Sequence, residues 1–145
     1  MSKLLERLSD PKKSGVYRVA HDRDVRDALT GAACDLVMVA LVPGKSGTLA
    51  AIAAALDFPE WFGANWDALE DCLTDLSWRK GAPPRVFLLS GASPGDDFGI
   101  LRDVLGAAAD YWGGRGEAFF AVFVDPGATL SLPALYKEKV RGPGA

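Results

Sequence analysis

The spacing of apolar and polar positions predicts four strands. VYRVA (16–20) is short and alternates, as an edge strand does. LVMVALV (36–42) and RVFLLS (85–90) are continuous apolar runs, the pattern of strands covered on both faces, and AFFAVFVD (118–125) is similar and stops at Pro126. Between these runs the period becomes helical. Residues 22–33 open with Asp and Arg charges and end in alanines. TLAAIAAAL (48–56) is apolar throughout and reads as a buried helix capped by Ser46 or Thr48. NWDALEDCLTDL (65–76) and DFGILRDVLGAAADYW (97–112) follow, the last stopped by Gly113 and Gly114. Strands alternating with helices predict an α/β fold, a small and mostly parallel sheet of three or four strands packed with α-helices.

Composition narrows the function. At 145 residues, 49% of them apolar and 24% charged, the chain fits one globular domain with a single sizeable core and no repeat or linker. A net charge of −3 argues against binding nucleic acid directly through a basic surface. The start, MSKLLERLSD, carries no export-type apolar run, and no stretch approaches the roughly 20 apolar residues of a membrane span. The expected home is therefore the reducing cytoplasm, with Cys34 and Cys72 as free thiols. Those two cysteines and a single histidine, His21, do not make a metal site, and neither metal nor cofactor is expected.

Two segments imitate catalytic motifs. LVPGKSGTLAA sits where a phosphate-binding loop would, between strand and helix, but the motif needs a glycine at the position of Val39. A nucleotide-binding enzyme built on PGKSGT is thus the weakest reading. GASPG (91–95) matches the nucleophile elbow of hydrolases. There the residue after the serine must lend its N–H to an oxyanion, and here it is Pro94; the only histidine also precedes the serine instead of following it. Nothing in these residues makes an enzyme.

The helix at 65–76 is different. At 100° per residue Trp66, Leu69, Leu73 and Leu76 share one stripe with Cys72 at its edge, and Asp67, Glu70, Asp71 and Thr74 lie opposite, flanked by Asp75. Asn65 is placed to cap the helix and Gly63 to turn into it. Asp67 gains about 0.3–1 kcal/mol from the helix dipole, which needs no function to explain it. Asp71 and Asp75 gain nothing of the kind, since like charges four apart cost about 0.2–0.5 kcal/mol per pair. From Ser46 to Trp78 there are six acids and no Lys, Arg or His, so the remainder of the chain carries the balance of −3 − (−6) = +3. A solvated outer face usually mixes signs, and aromatic rings such as Trp61 at the same end suit the centre of an interface.

The stretch FPEWFGANWDALEDCLTDL (58–76) resembles the barstar family of ribonuclease inhibitors. It contains that family's aromatic-Gly-x-Asn-x-Asp-Ala-Leu-x-Asp-Cys-Leu-Thr run in order. The resemblance implies a barstar-like domain over 35–125, an N-terminal extension at 1–34 with an edge strand and a helix, and a C-terminal tail at 126–145. It implies an inhibitor, not an enzyme, that is monomeric when free and takes a basic, barnase-like ribonuclease as partner. By that resemblance Asp71 enters the nuclease's catalytic phosphate site and Asp67 stands beside it. Trp61 replaces a rim tyrosine, Gly63 and Asn65 keep their places, and Thr74 and Asp75 match contacts at the helix end. Asp97, or Asp96 as the alternative, supplies a further acid from the late helix. Glu70 departs from the family, which has an interfacial tryptophan there. The alternative is a barstar-fold module for another basic partner, such as a toxin that is not a ribonuclease.

Overall fold

The computed structural model describes residues 3–60 and 62–137, and every strand in it runs parallel to its neighbours. In chain order the elements are α1 (Lys3–Leu8), β1 (Gly15–Val19), α2 (Arg23–Leu29), β2 (Asp35–Ala40), α3 (Lys45–Ala55), α4 (Trp66–Leu73), β3 (Arg85–Ser90), α5 (Asp96–Gly114) and β4 (Phe119–Val124). The sheet order is β1-β4-β3-β2. The two most continuous apolar runs, β3 and β4, take the centre, where both faces are covered. The fold is α/β and barstar-like, with the short alternating strand β1 at one edge.

Three boundaries differ from the pattern. LVMVALV reads as covered on both faces, but β2 is the other edge, and Met38 and Val42 are 49% and 52% exposed. The layer on that side consists of two short helices, which reach Leu36 and leave Met38 open. Helix α3 has Gly44 at its cap position with no side-chain cap; the Thr48 hydroxyl instead donates to the Val42 carbonyl at 3.1 Å. Helix α5 runs through Gly113 and Gly114 and turns off at Gly116, whose φ of +81° suits glycine.

One face of the sheet packs Val37, Phe87, Leu89, Phe119 and Phe123 against α3, α4 and α5. The opposite face, with Val86, Leu88, Phe120 and Val122, is closed by Leu8 of α1, Val25 and Leu29 of α2, and Leu135. The chain after Pro126 follows β1 for part of its length. Arg18 donates its N–H to the Pro133 carbonyl at 2.9 Å, and Leu135 returns one to Arg18 at 3.0 Å. Of the tail at 126–145, residues 138–145 lie outside the described residues.

Cutting the chain to 35–124 should therefore destroy the fold. Val86, Leu88, Phe120 and Val122 are at most 1% exposed, and uncovering each costs about 1.5–3 kcal/mol. Four such losses match the whole stability of an ordinary domain. We expect no cooperative thermal transition by circular dichroism from the cut chain; a sharp transition would show the second layer to be dispensable.

Candidate functional site

Helix α4 starts on a side-chain cap. The Oδ1 of Asn65 accepts the Ala68 N–H at 2.7 Å, and its Nδ2 reaches the Gly63 carbonyl at 3.4 Å. Gly63 and Asn65 thus set the entry of the helix, as the sequence suggests, and both are exposed. The loop before it is packed by Phe58, which meets Phe62 at 4.9 Å and Trp78 at 5.8 Å between ring centroids. Trp61 lies outside the described residues.

The two faces of α4 separate as the spacing predicts. Leu69, Cys72 and Leu73 are fully buried, as is Leu76 just beyond, while Trp66 is half-buried against the same core. Cys72 belongs inside this stripe, not at its edge. Burial, followed by the charges of Asp71 and Asp75, pushes its thiol above the ordinary range, so it stays protonated and inert. Asp67, Glu70 and Asp71 are exposed, and among the described residues none of them makes an ion pair.

The helix ends earlier than the apolar pattern. Thr74 is its C-cap, and the Thr74 hydroxyl donates to the carbonyls of Glu70 at 2.9 Å and Asp71 at 3.3 Å. Leu76 is buried by a left-handed turn with φ of +52° and not by a further helical turn. Asp75 therefore stands beyond the helix, exposed, its Oδ1 accepting the Ser77 N–H at 3.3 Å. The like-charge cost expected for 71–75 does not apply in helical form, and the 67–71 pair alone carries it.

The far end of α4 is held from below. The Trp112 indole of α5 donates to the Leu73 carbonyl at 2.7 Å, and the Trp78 indole donates to the Leu56 carbonyl at the end of α3 at 2.9 Å. Beneath them Asp35, 6% exposed, receives Arg79 and Arg85. The hydrogen bond from Arg79 holds its carboxyl below the usual carboxylate range against the opposing effect of burial. Sequence reasoning missed these five side chains, Trp78, Trp112, Asp35, Arg79 and Arg85. A signal existed: Asp35 and Arg85 open two apolar runs with opposite charges, and they turn out to be register partners.

Asp97 opens the late helix at a place that shares no lining residue with α4. It lines a small cleft of about 170 Å³ at the C-terminal ends of β2 and β3. The Trp112 indole that bonds the Leu73 carbonyl lies fifteen residues on, about 22 Å along the axis of α5. Asp96 opens the same helix. The two catalytic look-alikes meet across that cleft, with Gly44 and Thr48 on one side and Gly91, Ser93 and Pro94 on the other. The carboxylate of Asp97 among them is unsuited to a phosphate cradle.

Comparison with known families places the domain. The family model Barstar (barnase inhibitor) matches residues 35–124, well over half of the chain. No curated protein matches it.

Proposed function

The chain belongs to the barstar family, and we propose that it inhibits a ribonuclease by presenting the acidic face of α4 to the enzyme's basic active-site cleft. The observation that carries this reading is a helix whose Leu69, Cys72 and Leu73 are fully buried while Asp67, Glu70 and Asp71 stand exposed, with no ion pair among the described residues. A cleft built to hold RNA phosphates offers Lys, Arg and His in the arrangement such a face needs. Carboxylates three and four positions apart on a helix are neighbours, about 5–6 Å between Cβ atoms, so they act together as a polyanion.

In this reading Asp71 takes the catalytic phosphate site and Asp67 an adjoining cation. Trp61 covers the rim, Gly63 and Asn65 shape the near edge, and Thr74 and Asp75 border the far one. Because the Thr74 hydrogen is committed to its own helix, that hydroxyl meets the nuclease as an acceptor. Asp97 enters the contact only with a nuclease that also reaches the far end of α5. The inhibitor acts as a monomer, one to one, in the cytoplasm, where such a nuclease must be silenced. No helix among the described residues is long and apolar enough to cross a membrane.

Glu70 favours a second reading of the partner's identity. It places a charge where the family has an aromatic anchor, and burying a carboxylate costs several kcal/mol unless a cation meets it. The cognate enzyme then carries an extra Lys or Arg opposite Glu70, and a basic toxin that is not a ribonuclease satisfies the same condition.

Titrating a small basic ribonuclease with the protein should extinguish RNA cleavage at one inhibitor per enzyme. Failure with every barnase-type ribonuclease tried would defeat the reading. Complementary fields also predict association near 10⁸–10⁹ M⁻¹s⁻¹ at low salt, falling steeply with ionic strength. Stopped-flow rates that ignore salt between roughly 0.05 and 0.5 M would overturn it.

A further inference from the structure

Helix α4 has eight residues, too few to be stable alone, since isolated helices below about 12–15 residues are marginal in water. It also carries the 67–71 repulsion. Its outer face can be rigid only if its end is fixed by something else.

Beside the core contacts of its inner face, a buried carboxylate stands at that end. Asp35 opens β2, and its register opposite Arg85 ties it to the sheet. Oδ1 accepts Arg79 Nη2 at 2.7 Å, and Oδ2 accepts Arg79 Nε at 2.8 Å and Arg85 Nη1 at 2.9 Å. Two arms lead from it to α4. Through the fork of Arg79, whose N–H donates to the Leu76 carbonyl at 3.0 Å, it holds the chain leaving the helix. Through Arg85, whose guanidinium lies 5.6 Å from the Trp112 ring centre, it steadies the indole that donates to the Leu73 carbonyl. The chain returns past the carboxylate at Gly81, where a Cβ would come within 2.7 Å of the Asp35 Cβ.

We propose that Asp35 is a positioning residue for the acidic face of α4, fixing through Arg79 and through Arg85 and Trp112 the end of the helix from which Asp71 projects. Its effect on affinity rests on the inhibitory reading above; its effect on the helix does not. A fork that accepts both Arg79 nitrogens leaves that segment one orientation, which a point charge would not.

The test is Asp35→Asn, which keeps the shape and removes the charge, followed by native-state hydrogen exchange. Amides of Thr74 and Leu76 and the Trp112 indole N–H should exchange at least tenfold faster relative to the amides of β3 and β4. Affinity for a barnase-type ribonuclease should fall at least tenfold. Acceleration at the helix end only in step with the sheet would overturn the proposal, because a merely structural ion pair loosens both alike. Arg79→Lys provides a milder variant with the charge kept and the fork lost; it should show the same local pattern, and its absence counts equally against the proposal. Local loosening without loss of affinity also counts against it, provided Asp71→Ala does weaken binding. If Asp71→Ala leaves binding intact, the inhibitory reading fails and the exchange result alone decides for Asp35.

Discussion

Asp71→Ala is expected to weaken the complex with a barnase-type ribonuclease by about 2–5 kcal/mol, roughly 30- to 5,000-fold. This is the range typical of truncating one partner of a buried charge pair in protein interfaces. Most of the loss comes from the nuclease, whose phosphate-site cations are left buried and unpaired. Folding should respond in the opposite direction. Asp71 is exposed and makes no ion pair among the described residues, and it repels Asp67 one turn away. Removing it relieves about 0.2–0.5 kcal/mol of repulsion and places a better helix former on α4. Affinity by calorimetry and stability by urea unfolding should therefore move apart. Parallel losses in both would make Asp71 a structural residue.

Asp35→Ala, by contrast, should cost about 3–5 kcal/mol of stability, because it strands two guanidinium groups in a buried place. Arg85 is almost wholly buried, and its Nε already lacks a partner. Acid pH should imitate the substitution. The Asp35 carboxyl is held below its ordinary range in the folded state, chiefly by the Arg79 hydrogen bond. Such a group contributes stability above its unfolded pKa, near 4, and loses it as pH falls through the lower folded value. Urea-derived stabilities measured from pH 6 downward should fall below about pH 4 in the wild type. The same decline should be shallower in Asp35→Ala, and identical slopes would show that Asp35 is not the group responsible.

Much of this molecule was legible in its pattern, for physical reasons that also explain the rest. The β3 and β4 runs lie at the sheet's centre, so their apolar continuity reported burial on both faces faithfully. The β2 run misled because apolar residues at an open edge look the same as buried ones. Helix α1, six residues long, is too short for a helical period to show. Leu130, Leu132 and Leu135 are buried by neighbours distant in sequence, and no local period marks them. At the site, the two faces of α4 follow from spacing alone. Its end does not, since the stripe reaching Leu76 records burial whether the backbone is helical or left-handed there. The resemblance points to an acid of the late helix without saying which turn, and the ends of that 19-residue helix stand about 27 Å apart. The Asp35 cluster needed the order of the strands before opposite charges at two strand starts became a contact.

The central claim is that the acids of α4 occupy the place of RNA phosphates. Competition reads this directly: complex formation with a barnase-type ribonuclease is followed as a non-cleavable oligonucleotide is added at constant ionic strength. The account predicts mutual exclusion, with the apparent Kd rising in proportion to oligonucleotide concentration once its own site is saturated. A ternary complex, with Kd unchanged at saturating oligonucleotide, would contradict it.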